Sequence, residues 1–574
     1  MKWILKTLLI ALLFIAPQAH ATDRYVSKLG SDSNAPCTGQ GASACLTVKQ
    51  CISSASTGDN CYIGAGTYSG TELGSSGYVL ESGKNVSLIG QASSSVTFSP
   101  SVVTAGIRFN NPVGYGTTTI SDIAISGGTS PNYCYLIQES TGAIYTVIMN
   151  NVTCANPLFY GTYLTSSGNV AINLRIYNST TTASGSTRSH IYVERTTSAW
   201  SQGMITVDGG GFVSTAHVGN IFPAISIDAQ GATNTVAVTN TRNSITLSGS
   251  ASGDTGGIWV YNVKNALIQG NSVTVLNPSN ITTSGSYLYR VASCGTTVSA
   301  GAGGCIANQT PQDTSGVQIL NNTGTTGTAG GGAIMFGNDF MSSSAYMANY
   351  GLIKGNTVTC TRAGNTIHGL FHGYSIGSVT TANYASGCGY GGLIKDSINS
   401  QVYGNIIKDI VLNYFYAKAS TSTVFANNTA IMTTGTGTVL LLADDTEGIA
   451  TSSKLIVFKN NNIYNTGGNP TNLIQVNANN TLASVDANNW YGFSNPQWVN
   501  GSTYTSLATW NANSVVGTDI SVNPYFTNYP TTLRLSPSSP LIGAGVRAGD
   551  FTDYLGRYYE YKPSIGAWEY GSRD

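Results

Sequence analysis

Charged side chains are scarce in this chain. They make up 9% of its 574 residues, against roughly 25% in an average domain. The 25 basic and 25 acidic residues balance, and no basic excess is available for the phosphate contacts that nucleic-acid binding needs. After the N-terminus no apolar run approaches the roughly 18 residues of a membrane helix. No Cys-x-x-Cys spacing occurs among the ten cysteines, which sets aside zinc ribbons and thioredoxin-type redox chemistry. Almost no segment carries a 3.6-residue apolar stripe, so a helical bundle is excluded as well. With few ions, the surface has to be solvated by hydroxyls and amides.

What is present begins with a leader. Lys2 and Lys6 flank the start of an apolar run from Leu8 to Ala16, and Ala19-His20-Ala21 precedes Thr22. This pattern reads as a Sec signal peptide cleaved after Ala21. The expectation is therefore an exported protein, secreted or periplasmic, without a membrane span. An even number of cysteines in an oxidising compartment favours disulfides. Pairing sequential neighbours gives Cys37–Cys45, Cys51–Cys61, Cys134–Cys154, Cys294–Cys305 and Cys360–Cys388.

A short pattern, apolar-x-x-Asn-x-apolar or a near variant, returns along the chain: VIMNNV at 147, IQGNSV at 268, IKGNTV at 353, VYGNII at 402, VFANNT at 424 and FKNNNI at 458. In the last five the repeating asparagine is taken as Asn271, Asn356, Asn405, Asn427 and Asn461. Spacings in the range of 20 to 50 residues mark a solenoid or propeller. The segments between are short, β-branched and alternating, bounded by Gly, Asn and Ser. The reading is an all-β, single-stranded parallel β-helix, whose stacked coils let inward asparagines bond the coils above and below. The expected organisation is a signal peptide over 1–21, an N-terminal cap over 22–70 with a helix from Leu46 to Ala55, β-helix repeats over 71–485, and C-terminal coils and cap over 486–574.

The first mature segment runs Tyr25-Val26-Ser27, Gly30-Ser31-Asp32, a Cys-rich loop, a short amphipathic helix, Gly58-Asp59 and Ala65-Gly66-Thr67-Tyr68. The C-terminus carries NNWYG, YTSLATW, VNPYF, LRLSPSSPLIGAG and PSIGAWEY in that order. Both ends resemble secreted proteins of the pectin-lyase-like right-handed parallel β-helix superfamily. The resemblance implies a right-handed coil and a polysaccharide partner, with uronates among the candidate sugars. It also implies a monomer, acting as a polysaccharide lyase or, alternatively, as a non-catalytic glycan-binding surface protein.

Three constellations are candidates for chemistry. FHGYSIGSV at 371–379 is similar to a polygalacturonase motif, with Phe371 in place of its first glycine. The upstream Asp-Asp of that family is missing, since Asp444-Asp445 lies downstream, and Leu393-Ile394-Lys395 lacks the family's arginine. A Gly-Ser turn between coils is the other reading. Asp208 in ITVDGGG and Asp228 in ISIDAQG are twenty residues apart and are expected to stack on adjacent coils, where they would hold Ca²⁺, form an acid/base pair, or simply start turns. Lys354, Arg362, His368, His372, Lys395 and Lys408 concentrate basic groups in a charge-poor chain, and Asp444, Asp445 and Glu447 form an acidic trio. A lyase needs a base for the proton alpha to a uronate carboxyl and a cation to neutralise that carboxyl. The expected catalytic set is Lys395, His372, Asp228 and Asp208, with Asp208 and Asp228 as the metal ligands.

Overall fold

The computed structural model describes residues 21–570 apart from short stretches, the longest of which are 293–313 and 338–347. Three long sheets account for nearly all described strands. Sheet 1 and sheet 3 have 16 strands each and sheet 2 has 15, and within each sheet a strand pairs with its counterpart one coil further along the chain. The chain thus runs sheet 1, sheet 2, sheet 3 and back. One such coil is Leu352–Lys354, Thr357–Cys360, His368–Gly373 and then Val379–Thr381. Pairing between coils is parallel throughout these strands until Ser502–Tyr504 turns back antiparallel on Trp498–Asn500. This is the parallel β-helix expected from the repeat, with the right-handed coil that the resemblance implied.

The corner between sheets 1 and 2 explains the repeat. Its first residue has a left-handed backbone: Gly270, Gly355 and Gly404 at φ near +65°, or Asn240, Asn321, Asn427 and Asn460 at φ between +52° and +55°. Asparagine is among the few residues with a Cβ that adopt this region readily. The second residue points inward and forms a ladder of Asn271, Asn322, Asn356, Asn383, Asn405, Asn428, Asn461 and Asn488. At each rung the backbone N–H and the side-chain amide both donate to the next Oδ1, as from Asn322 to Asn356 at 2.9 Å each. The amide also donates to a carbonyl of the coil before, Ile268 O at 2.9 Å for Asn322. The ladder residue at 424–429 is therefore Asn428. Asn427 is the left-handed residue before it, and its amide reaches Ser564 O in the C-terminal segment. A carboxylate ends the ladder. Asp519 accepts from Asn488 N and Nδ2 on one oxygen and from the indoles of Trp490 and Trp510 on the other.

A second ladder runs along the corner between sheets 3 and 1. Ser375 N donates to Ser397 Oγ, Ser397 N to Ser420 Oγ, Ser420 N to Ser453 Oγ, and Ser453 N to Asn480 Oδ1. The residues before the first three serines, Tyr374, Asp396 and Ala419, again have positive φ. The two corners thus use one device, a left-handed residue followed by a buried hydrogen-bonding side chain.

Helix Val48–Ser54 is shorter than the stretch expected. Thr47 caps it by accepting from Gln50 N, and Val48 and Cys51 are buried against the first coil. At the other end Trp490, Trp498 and Trp510 pack on one another beneath the last coil. The segment 520–570 then returns along the outside of sheet 2. It is tied down by Asn460 Nδ2 to Val546 O and by Ala567 N to Thr429 Oγ1. Among the described residues no helix is long and apolar enough to cross a membrane.

Disulfides join Cys37–Cys45, Cys51–Cys61, Cys134–Cys154 and Cys360–Cys388, with Cα separations of 5.0 to 6.2 Å. The fifth expected pair, Cys294–Cys305, lies outside the described residues, as do residues 1–20 of the expected signal peptide. Cys360 and Cys388 lie one coil apart. Cys134 and Cys154 do not: at a separation of 20 residues their bridge joins a strand of sheet 3 to the following strand of sheet 2.

Candidate functional site

Alternation along sheet 3 divides its side chains between the interior and the outer face. In strand Ile258–Tyr261, Ile258 and Val260 join the interior core, while Trp259 and Tyr261 belong to a separate cluster with Tyr287, Met335, Phe371 and Leu393. The outward residues stack in register. One column passes Tyr163, Tyr192, Ser226, Trp259, Arg290, Met335, Phe371, Leu393, Tyr416 and Leu441. Near the N-terminal end, tyrosines stack face to face, Tyr160 on Tyr192 at 4.6 Å. In the middle, the Arg290 guanidinium lies 5.4 to 5.6 Å from the rings of Trp259, Tyr261 and Tyr287. Trp259, Met335 and Phe371 are buried, so that stretch is packing and not open surface.

Beyond Phe371 the face becomes accessible and charged. Lys395 and Lys418 are direct register partners on adjacent coils. Asp445, which follows strand Thr438–Ala443, lies between their ammonium groups, 3.3 Å from Lys395 Nζ and 3.2 Å from Lys418 Nζ. The carboxylate is buried, while the lysine side chains keep 14% and 28% of their surface in contact with solvent. Lys395 Nζ also lies 5.5 Å from the Tyr374 ring. Beside this trio Tyr390 and Tyr416 stack at 5.6 Å, and His368 packs against Tyr390 at 5.2 Å and Phe371 at 4.8 Å. Burial, helped by the Lys395 cation, lowers the His368 pKa to about 4. The ring is neutral at pH 7, with no partner on Nδ1 among the described residues. Burial and the neighbouring Tyr390 and Asp445 push the Tyr416 hydroxyl well above its ordinary value, so it keeps its proton.

The expected site residues are dispersed. His372 faces the interior, one residue out of phase with the outer face. It is fully buried, packs edge-on to Phe336, pairs through Nε2 with Thr380 Oγ1, and is pushed down by burial to about 3. It belongs to the core and is closed to a substrate. Asp208 and Asp228 do not stack on adjacent coils. They occupy sheets 1 and 3 of a single coil, because that coil is 31 residues long and twenty residues fall short of a full turn. Asp208 accepts from Thr239 Oγ1 and Asn240 Nδ2 of the next coil, and Asp228 from Asn262 Nδ2. They therefore make no shared Ca²⁺ site, and among the described residues no group of three or more His, Cys, Asp or Glu side chains could hold a metal. Asp228 shares the outer face of sheet 3 with Lys395 but lies five strands away, roughly 24 Å at the strand spacing.

Lys354 and Lys408 lie on sheets 1 and 2, so the basic concentration in sequence is spread over three faces. Arg362 and Glu447 lie outside the described residues. Asp444 turns to Asn480 Nδ2 at 2.7 Å, away from the lysines. In the FHGYSIGSV stretch the serine at 375 is the first rung of the serine ladder, so the motif is a corner between coils. Lys418, Tyr390 and Tyr416 escaped attention in the sequence. Their only signal was strand parity relative to Lys395.

No family model matches the chain, and no curated protein does. Among solved structures it is similar to the PL6 family polysaccharide lyase Pedsa3628 from Pseudopedobacter saltans, at 11% identity and a TM-score of 0.36, covering 90% of this chain and 96% of that one. It is also similar to pectate lyase Pel9A, at 14% identity and a TM-score of 0.17, covering 95% and 96%. At these identities and scores the likenesses say nothing about chemistry.

Proposed function

We infer that the protein binds an acidic polysaccharide along the outer face of sheet 3 and cleaves it by β-elimination at the centre formed by His368, Lys395, Lys418 and Tyr416. The observation that supports this reading is the Lys395–Asp445–Lys418 trio, with its lysines part-exposed, set beside the Tyr390–Tyr416 stack. Aromatic faces take sugar rings, and two ammonium groups sharing one carboxylate leave a net positive charge for a uronate. The Lys395 ammonium, 3.3 Å from Asp445, is placed to neutralise the substrate carboxylate. Neutral His368 is the group able to accept the proton alpha to that carboxylate at pH 7. The electron pair left behind forms the new double bond, the glycosidic oxygen departs, and a tyrosine hydroxyl, Tyr416 or Tyr390, supplies its proton. Parallel strands about 4.8 Å apart match the rise of an extended glycan closely enough to place successive sugars on successive coils.

Binding without turnover is the second reading, favoured by the closed ion pairs at Lys395. The test is incubation with pectate, alginate and glucuronan while following both unsaturated uronate ends and reducing ends. Unsaturated ends that disappear in His368→Ala and Lys395→Ala, with circular dichroism unchanged, support the elimination. Retained binding with no new ends supports the second reading. Cleavage at wild-type rate by both variants removes this centre from the chemistry.

A further inference from the structure

A separate cavity of about 610 Å³ lies on a different face of the molecule, within the size range of small-molecule sites. It is an open cleft between the outer side of sheet 2 and the returning C-terminal segment. Its floor is Ile406 and Leu533, both buried, and Tyr384, Tyr554 and Trp568 contribute aromatic walls. The hairpin of Phe526–Asn528 with Thr532–Leu535 forms one side and presents Asn528 and Arg534.

Each wall is fixed from below. Ala567 N is tied to Thr429 Oγ1, and Tyr554 N donates to Ala567 O at 2.7 Å. Asp553 is locked by Arg557, whose Nη2 approaches Oδ2 at 2.7 Å. The Tyr554 and Trp568 rings meet at 5.1 Å with their planes tilted by 48°, and the Arg534 guanidinium lies 5.4 Å from the Trp568 ring. Arg534 is exposed and has no carboxylate partner among the described residues. Arg557 nearby is paired, and Arg534 is the one charged residue among those lining the cavity.

We propose that this cavity is a second saccharide site, taking one acidic sugar unit with its ring against Tyr554 and Trp568 and its carboxylate on Arg534. A planar guanidinium offers two parallel N–H donors to a carboxylate and holds it more specifically than an ammonium can. Aromatic walls favour the apolar face of a pyranose, and Asn528 adds a polar group for hydroxyls. The site rests on its own residues and does not require cleavage on sheet 3. Its ligand class coincides with the one proposed there, so it would anchor a second segment of the same polymer.

The experiment is calorimetric titration of the full-length protein with trimers of galacturonate, glucuronate and mannuronate, with a neutral glucose trimer as control. The variants are Arg534→Gln and Lys418→Gln, each checked for folding by its thermal midpoint. The expected result is that an acidic trimer binds, the neutral one does not, and Arg534→Gln weakens one class of site by about tenfold or more while Lys418→Gln leaves that class intact. A crystal soaked with the same trimer should place a carboxylate on Arg534. The proposal is overturned if no acidic trimer binds, if acidic and neutral trimers bind alike, or if Lys418→Gln alone removes all binding. The last outcome would assign all binding to sheet 3 and leave the reading of that face standing.

Discussion

Burial holds three histidines neutral, His190 and His368 at about 4 and His372 at about 3. Their folded pKa values lie below the unfolded value of about 6.5, so unfolding takes up protons at intermediate pH. The stability they contribute is complete above about pH 6.5 and is lost as pH falls towards 4. For the fully enclosed His190 and His372 the slope is about 1.4 kcal/mol per pH unit each. Glu569 has the opposite sign: burial raises it to about 6, so its contribution is full below about pH 4.5 and fades as pH rises through 6. The two imidazoles are moved further from their ordinary values than the carboxyl is, and they outweigh it. The urea midpoint should therefore fall from pH 7 to pH 4.5, and His372→Gln should flatten that fall. At the lysine–aspartate trio, Asp445→Asn removes the one counter-ion that both ammoniums have among the described residues, and the two then face each other one strand spacing apart. A loss of about 3 kcal/mol is expected, while Lys418→Gln should cost under about 1 kcal/mol, both read from denaturant unfolding.

At the scale of elements, the two corners carry the register of the whole coil. A ladder asparagine satisfies its own amide, the backbone N–H of the rung before, and a carbonyl of that coil, all away from water. Asn356→Ala strips acceptors from Asn322 N and Nδ2 and a donor from Ile319 O. Unsatisfied buried groups cost about 1–3 kcal/mol each before relaxation, so a loss of about 3 kcal/mol is expected. The left-handed residue beside a rung behaves differently. Asn321 is exposed at φ 52°, and Asn321→Gly should stay within about 0.5 kcal/mol. If thermal melts showed the two variants equally destabilised, the division of labour at the corner would be wrong. The same logic explains why Asn427 was mistaken for a rung: in a run of two asparagines, both corner positions accept the residue, and only backbone φ separates them.

For the molecule as a whole, each coil touches little beyond its neighbours, so stability is close to a sum of adjacent interfaces. The Cys360–Cys388 bridge closes a separation of 28 residues, and its removal by Cys360→Ser with Cys388→Ser should cost about 2–4 kcal/mol. Hydrogen exchange should place the loss of protection in the coils around 350–410 and leave the N-terminal coils nearly unchanged. The C-terminal segment departs from this linear scheme. It bonds to residues more than eighty positions earlier, as Val546 does to Asn460, and so ties several coils of sheet 2 together.

Local chemistry determined the fold and the four disulfides now described. A parallel coil is specified by short alternating strands and by a corner of two residues, both of which the chain repeats in plain form. Cysteines a coil or less apart are brought close by that geometry whatever the details. The site needed the tertiary structure because coils differ in length. From Asn271 to Asn428 successive rungs are 51, 34, 27, 22 and 23 residues apart, so a fixed interval in sequence does not name a fixed place on the solenoid. Asp208 and Asp228 fell on different sheets for that reason. Parity decided the rest: His372 and Phe371 are neighbours in sequence, yet one points into the core and the other outward, since a shift of one residue along a strand exchanges its faces. Lys395, Lys418 and Asp445 meet only because three coils of unequal length bring the same face into register.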